Sequence, residues 1–230
     1  LDSDMHYSCA YFANPGDTLE QAQQNKLRHI AAKLDLKSGQ RVLDIGCGWG
    51  GNALYLAKVA DVEVVGITLS TEQHALATER AKQRGLEKRV RFELLDYRQV
   101  QGPFDRIVSI GMFEHVGHAN LGAYFSRIYQ LLVPGGLVLN HGITAGGLGA
   151  EQLGSGMGDF IEKYIFPGGE LLHVSHILRE TAASTPPQMP IWPRSMPGAC
   201  RRRWCAVWPK PMPSGQCSST AVRPCGRRGV

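Results

Sequence analysis

Five short and almost wholly apolar segments alternate with amphipathic segments in this 230-residue chain. The apolar segments predict strands, which are RVLDIG (41–46), VEVVGITL (62–69), VRFELLD (90–96), FDRIVSIG (104–111) and GLVLNHG (136–142). Apolar residues at helical spacing predict helices over 18–36 (with Thr18 as N-cap), 52–60, 71–85 and 121–133. Strands without polar alternation are buried on both faces, so the sequence predicts a doubly wound α/β domain with a mostly parallel, Rossmann-like sheet.

Polar or glycine-rich clusters follow the predicted strands. They are Gly46–Gly51, Thr68–Gln73, Asp96–Tyr97 and Glu114–His118. In open α/β sheets the ligand binds outside the carboxyl ends of the strands, so these clusters should lie together and form the site.

The segment DIGCGWGG (44–51) fits the glycine-rich loop of nucleotide-binding folds, which alone is a weak indication. A dinucleotide-binding domain also needs an acidic residue at the end of the second strand, but Thr68, Leu69 and Ser70 stand there. The acid is Asp44, before the first glycine, as in S-adenosylmethionine-dependent methyltransferases. A carboxylate suits the cationic sulfonium and ammonium groups of S-adenosylmethionine, although Asp44 as a turn-forming residue is the alternative. Asp96 follows the third strand, where methyltransferases contact adenine.

The composition changes near Ala183 and divides the chain into a domain (1–183) and a basic tail (184–230). Eight Lys and Arg but no Asp or Glu follow Glu180. Because these eight positive charges exceed the net charge of +5 of the whole chain, the body of the chain before them carries a slightly negative net charge. The body therefore lacks the charge of a nucleic-acid binder. For the tail we consider a disordered basic segment, a Cys-rich metal knuckle and translation out of frame, and we favour the last. No strand pattern is visible there, so the last strands of the sheet are expected to be disrupted.

Two features indicate a cytoplasmic protein. Cys9 and Cys47, the cysteines outside the tail, are too few for a disulfide scaffold, and no signal peptide or transmembrane run is visible. The chain opens at Leu1 without a methionine, so we expect upstream sequence to be missing.

The order of several motifs resembles the cyclopropane-fatty-acyl-phospholipid synthases and mycolic acid cyclopropane synthases. The matching segments are HYSCAYF (6–12), LEQAQQNKL (19–27), RVLDIGCGWGG (41–51), VVGITLSTEQ (64–73), DRIVSIGMFEHVG (105–117), NHGIT (140–144) and FIEKYIFPGGELLHVS (160–175). The resemblance ends near residues 180–183. The family continues with a helix, two strands and a tyrosine, whereas the tail contains no tyrosine.

The resemblance implies methyl transfer from S-adenosylmethionine to a cis double bond of an unsaturated phospholipid at the inner face of the membrane. It implies a carbocation that loses a proton to bound bicarbonate. It assigns the bicarbonate to Cys9, Glu114, His141 and the backbone of Ile143. A homodimer is left open.

The resemblance also assigns the cofactor contacts. Tyr7 and Ser8 would fold over the cofactor, and Thr68, Leu69 and Gln73 would contact the ribose. The remaining contacts are Gly46, Gly48 and Gly50 at the methionine end, with Asp44 behind them, and Asp96 and Tyr97 at the adenine end.

Glu114, His115 and His118 lack an established metal spacing, so Glu114 is expected to hold an anion and the histidines to be structural. The alternatives to the lipid enzyme are a small-molecule N-methyltransferase and an inactive cofactor-binding fragment. Because a sheet without its last strands exposes an unpaired edge, the chain is expected to be poorly stable and weakly active or inactive.

Overall fold

The computed structural model describes residues 1–144, 169–184, 192–194 and 203–209. Its strands are β1 (Arg41–Ile45), β2 (Glu63–Thr68), β3 (Val90–Leu94), β4 (Phe104–Ile110), β5 (Leu132–Ile143), β6 (Trp192–Arg194) and β7 (Arg203–Pro209). Its α-helices are α1 (Leu19–Leu34), α2 (Gly51–Ala60), α3 (Thr71–Gln83), α4 (Leu121–Leu131) and α5 (Val174–Ala183).

The strands form one sheet in the order β3-β2-β1-β4-β5-β7-β6. The first five are parallel, with Ile45 opposite Ile67 on one side and Ser109 on the other, which brings their carboxyl ends to one edge. The predicted doubly wound, mostly parallel α/β fold is therefore confirmed.

Helices cover both faces of the sheet. Adjacent β1 residues point in opposite directions, so Val42 packs in the cluster with α1, α2 and α3, whereas Leu43 packs with α4 and α5. The predicted cap of α1 is confirmed, since the Thr18 hydroxyl accepts from the Gln21 backbone N–H and the Gln21 side chain accepts from the Thr18 N–H. Burial on both faces explains why the strands are apolar throughout.

The end of the sheet requires a correction. We expected disrupted strands after Ala183, but β7 pairs antiparallel with β5, from Leu137↔Pro209 to Ile143↔Arg203, and β6 pairs with β7. The edge of β5 presents a row of N–H and C=O groups that can pair with a strand of almost any sequence. The RWCAVWP segment also contains Trp and Val, which favour strands. Backbone pairing thus supplies strands that hydrophobic periodicity did not predict.

Candidate active site

Two adjoining hollows lie at the carboxyl edge of the parallel strands, and both are lined by Tyr7, Gly46 and Gly111. The wide cleft, about 620 Å³, lies over the ends of β2 and β3. The narrow cavity, about 80 Å³, lies between the start of the chain, the loop after β1, and the ends of β4 and β5. The first has the size of a small-molecule site, and the second is much narrower.

The wide cleft brings together the residues predicted to bind ribose and adenine. Its lining includes Thr68, Leu69, Gln73, Asp96 and Tyr97. The Thr68 hydroxyl donates to Gln73 Oε1 at 2.7 Å, which leaves the amide N–H groups of Gln73 for ligand hydroxyls. The side chain of Leu69 is 74% exposed, as expected for an apolar residue that covers a ligand face.

Asp96 has a local partner that the sequence did not predict. The Arg98 guanidinium donates to both of its carboxylate oxygens, at 2.9 and 2.7 Å, and the Arg98 backbone N–H donates to Oδ1. The hydrogen bonds from Arg98 lower the pKa of Asp96 despite partial burial. The Asp96 carboxylate is therefore ionised and fixed at the rim of the cleft, where it can accept hydrogen bonds from a ligand.

The glycines of the loop after β1 have two different roles. Gly46 and Gly48 have positive φ and line the narrow cavity. A Cβ on Gly48 would meet only the Tyr7 ring, at 3.8 Å, so a ligand can approach the backbone there. Gly50 is not among the described residues that line either hollow, and its contact with the cofactor stays a prediction. Its Cβ position lies 2.8 Å from Phe92 and 2.9 Å from Ala77, so this glycine allows α3 and β3 to pack against the loop.

Asp44 lies under the glycine loop as a buried carboxylate that is 1% exposed. Asn52 of α2 donates to its Oδ2 at 2.9 Å. Burial raises the pKa of Asp44 to about 6, and the hydrogen bond from Asn52 and the charge of Lys26 oppose that rise. Because Asp44 also lines the narrow cavity, it is placed to meet a cationic ligand group.

The start of the chain forms one wall of the narrow cavity. Gln23 Nε2 donates to the carbonyl of Ser8 at 3.1 Å, and Lys26 Nζ donates to the Ser8 hydroxyl at 2.8 Å. On the other side, Arg80 donates to the carbonyls of Asp4 and Trp49, which joins this segment to the glycine loop. The segment around Tyr7 and Ser8 thus lies against the glycine loop, and its contact with the cofactor stays a prediction.

Glu114 lines the narrow cavity and contacts the end of β5. It is 3% exposed, and its Oε1 accepts from the backbone N–H of Ile143 at 2.7 Å. Its Oε2 is buried and has no hydrogen-bond partner among the described residues. Burial raises the pKa of Glu114, which shifts this group towards the neutral acid that can donate a hydrogen bond. A small acceptor anion would satisfy Oε2.

The other three predicted catalytic residues line the same cavity. His141 is 4% exposed, and Cys9 is half-buried. Ile143 also lines the cavity, and its backbone N–H donates to Glu114 Oε1. The other backbone polar group of Ile143 is its carbonyl, which can only accept a hydrogen bond. The structure thus brings together all four residues, which come from three separate parts of the sequence.

The polar residues of the FEHVGH segment lie in three places. Glu114 lines the narrow cavity, and His115 lines the wide cleft, where burial lowers its pKa. The His118 ring packs edge-on against His176 at 5.1 Å. Among the described residues, no cluster of His, Cys, Asp or Glu has the arrangement of a metal site.

Besides Arg98, sequence reasoning missed Lys26 and Asn52. Lys26 lines the narrow cavity, and Asn52 both lines it and holds Asp44. The indication for Lys26 was its position, since it lies one helical turn after Ala22 and one before Ile30, on the buried face of α1. A lysine at an apolar position of an amphipathic helix should have been counted as a candidate.

A parallel five-strand core, an acidic residue before a glycine loop and a cleft over the carboxyl ends are the features of the class I S-adenosylmethionine-dependent methyltransferase fold. Residues 1–186 match the sequence model of the family described as mycolic acid cyclopropane synthetase, and the chain belongs to that family.

Individual relatives agree with this assignment. A probable fatty acid methyltransferase of Pseudomonas putida is 52% identical over 179 residues, which cover 77% of this chain and 45% of the relative. The cyclopropane-fatty-acyl-phospholipid synthase of Escherichia coli K12 is 49% identical over 181 residues, covering 79% and 45%. The chain thus spans slightly less than half the length of these relatives.

A solved structure supports the fold and the cofactor class. Mycolic acid cyclopropane synthase CmaA1, complexed with SAH and CTAB, superposes with a TM-score of 0.74 and 36% identity over 83% of this chain and 69% of the other. Within the described residues, no helix combines the length and apolar character needed to cross a membrane.

The acidity of Asp44 predicts how cofactor binding depends on pH. If the ionised carboxylate holds the ammonium of S-adenosylmethionine, affinity is full above the pKa of about 6. Below it, protonation of Asp44 should weaken binding by about tenfold per pH unit. Calorimetric titration with S-adenosylhomocysteine between pH 5 and pH 8 measures this pH dependence. The range extends about one unit below and about two units above the pKa of Asp44. Asp44→Asn should bind weakly and lose the pH dependence; an unchanged pH dependence in Asp44→Asn would assign the titration to another group.

Proposed function

We propose that this chain transfers the methyl group of S-adenosylmethionine to the cis double bond of an unsaturated phospholipid acyl chain and forms a cyclopropane ring. The observation that carries the proposal is the buried Oε2 of Glu114, which has no hydrogen-bond partner in the described part of the chain and lies in a narrow cavity beside the glycine loop. Ordinary methyl transfer to an amine does not require a buried acid there. Cyclopropane formation does require a base at the methyl carbon, and a small bound anion would supply one.

The chemistry explains why a base is required. The alkene π electrons attack the sulfonium methyl group, the carbon–sulfur bond breaks, and S-adenosylhomocysteine leaves. The resulting carbocation becomes a cyclopropane when the new methyl group loses a proton and its C–H electrons close the ring. An alkene is a weak nucleophile, so the reacting carbons must be held close together and away from water. Burial of Glu114 and His141 fits this requirement.

We propose bicarbonate as the anion in the narrow cavity, where it would accept the proton that the methyl group loses. The residues fit this anion. A protonated Glu114 donates from Oε2, the Ile143 carbonyl accepts the bicarbonate hydroxyl, and His141 and Cys9 complete the polar lining. The raised pKa of Glu114 favours the donating form. An ionised Glu114 would instead repel the anion.

We propose that the acceptor is presented at the inner membrane surface. Large apolar side chains are exposed on the N-terminal segment, namely Tyr7 at 58%, Phe12 at 46% and Leu19 at 42%. Tyr7 also lines both hollows, so this apolar surface continues to the mouth of the site. Peripheral contact of this kind would let an acyl chain leave the bilayer without exposure to water.

Lipid mass spectrometry tests the proposed function. Cells expressing this chain, and cells expressing a version whose residues after Ala183 are replaced by the C-terminal sequence of the Pseudomonas putida relative, are compared with empty-vector cells. The proposal predicts a methylene increment on unsaturated acyl chains, larger in the version with the replaced C-terminus, because that version restores the family tyrosine. If neither chain modifies lipids but both bind S-adenosylhomocysteine and methylate a small amine, the N-methyltransferase alternative is correct.

A further inference from the structure

Three buried polar side chains are joined by hydrogen bonds between β4, α4 and β5. Ser109 lies opposite Asn140 on the neighbouring strand, and the Tyr124 hydroxyl is 2.9 Å from Ser109 Oγ and 3.1 Å from Asn140 Oδ1. All three residues are at most 1% exposed. A tyrosine hydroxyl has one proton and an amide oxygen only accepts, so Tyr124 donates to Asn140 and Ser109 donates to Tyr124. Apolar side chains would avoid the cost of burying these groups, which indicates a role beyond packing.

The hydrogen bond from Tyr124 fixes the orientation of the Asn140 amide. Because Oδ1 faces Tyr124, the amide nitrogen Nδ2 points away from that hydroxyl. Nδ2 is buried and has no hydrogen-bond partner among the described residues. Asn140 is also not among the described residues that line either hollow, so a ligand bound there is not its acceptor. A buried N–H group without an acceptor is costly, so the acceptor must come from within the fold.

Glu114 lies on the same face of β5 as Asn140. Residues two apart on a strand share a face, and a Cβ on Gly142 would lie 2.8 Å from Glu114 Oε1. Burial raises the pKa of Tyr124, the hydrogen bond from Ser109 opposes that rise, and the charge of Glu114 adds to it. The carboxyl group thus lies close enough to act on the Tyr124 hydroxyl. Its Oε2, like Asn140 Nδ2, is buried and without a hydrogen-bond partner in the described part of the chain.

We propose that Asn140 Nδ2 donates to Glu114 Oε2, directly or through one buried water, so that Ser109, Tyr124 and Asn140 form a positioning network for the carboxyl group. A protonated Oε2 can accept this hydrogen bond and still donate its own proton to an anion in the narrow cavity. Tyr124 and Asn140 are positioning residues, since neither is among the described residues that line that cavity. The effect of the network on turnover rests on the proposed function, whereas its contact with Glu114 does not.

The contact predicts how the pKa of Glu114 responds to its loss. Titratable groups from several elements line the same cavity or belong to the network, namely His6, Cys9, Lys26, Asp44, Tyr124 and His141. None of their charges is among the causes that shift the pKa of Glu114, which burial raises and the hydrogen bond from Ile143 lowers. A donated hydrogen bond favours the ionised carboxylate. Loss of the Asn140 amide should therefore raise the pKa of Glu114 further.

Infrared difference spectroscopy tests the contact in the absence of lipid. Subtracting the spectrum of Glu114→Gln isolates the carbonyl band of protonated Glu114, whose midpoint is followed over about pH 4 to 9. Asn140→Leu should raise this midpoint by about one to two pH units, because a hydrogen bond to a charged group is lost. Tyr124→Phe should raise it by less than about one unit, because the amide remains but is no longer oriented. Tyr129→Phe, which removes the same hydroxyl group from the same helix, is the matched control and should leave the midpoint unchanged.

Several results would overturn the proposal. An unchanged midpoint in Asn140→Leu would separate the network from Glu114, and a lower midpoint would mean that Oδ1 accepts from the protonated acid. The double variant should have the midpoint of Asn140→Leu, whereas a further shift would mean that Tyr124 acts on Glu114 without Asn140. If Asn140→Leu does not fold, an unchanged midpoint in Tyr124→Phe overturns the proposal by itself. Shifted midpoints without lipid turnover would support the network and contradict only the proposed function.

Discussion

Replacing Glu114 by leucine is expected to lower alkene methylenation by about 10²–10⁴-fold, the range for loss of general acid–base catalysis. Leucine cannot donate a hydrogen bond to the bound anion that serves as the base. Glutamine can replace the protonated acid, because its carbonyl accepts from the Ile143 N–H that Oε1 accepts at 2.7 Å and its amide donates from the position of Oε2. Glu114→Gln should therefore retain most of the turnover.

A second control is Glu63→Leu, at the exposed start of β2, which should leave turnover unchanged. If Glu114→Leu retains full turnover, the carboxyl group of Glu114 has no role in the chemistry. If it loses turnover and the affinity for S-adenosylhomocysteine together, the defect lies in folding, which a thermal melt would show.

Ending the chain after Ser184 is expected to destabilise the protein strongly. This change removes β7 and leaves the segment from Leu137 to Ile143 without its antiparallel neighbour. Losing several backbone hydrogen bonds, each worth about 0.5–1.5 kcal/mol, should lower the free energy of unfolding by at least about 3 kcal/mol. For a domain of this size Tm should fall by about 6–12 °C. The exposed edge of β5 should also promote self-association.

Ending the chain after Pro209 is the control, because β7 is then retained. Calorimetry and light scattering of both shortened chains measure the difference. Equal Tm values and equal monomer content for the two would mean that β7 contributes nothing to the sheet. In that case the original expectation of an unpaired edge and a poorly stable chain would stand.

The sequence predicted the sheet and its helices because their patterns are local. Apolar runs such as 41–46 need only burial on both faces, and the Thr18 cap needs only its own helix. β7 was missed because its position depends on the backbone edge of β5, which lies about sixty residues earlier in the sequence. This pairing leaves no hydrophobic periodicity in the sequence of β7.

The residues of the site were predicted less completely than the fold. Asp44 could be assigned from its position before a glycine loop, whereas Glu114, His141 and Ile143 were grouped only through family resemblance. Gly50 was assigned to the cofactor because the motif contains it, although its small size serves packing against Phe92. Lys26 was missed because helical periodicity identifies a buried position but does not show that its side chain reaches a cavity.

The most direct test of the proposed function counts deuterium atoms in the product. Purified chain, with its own and with the replaced C-terminus, is given S-adenosylmethionine bearing a trideuterated methyl group and vesicles of a cis-monounsaturated phosphatidylethanolamine. Cyclopropane formation must discard one deuterium to the base, so the account predicts acyl chains that gain a dideuterated methylene unit. A product that keeps all three deuterium atoms, or unmodified lipid with both chains despite bound cofactor, would contradict it.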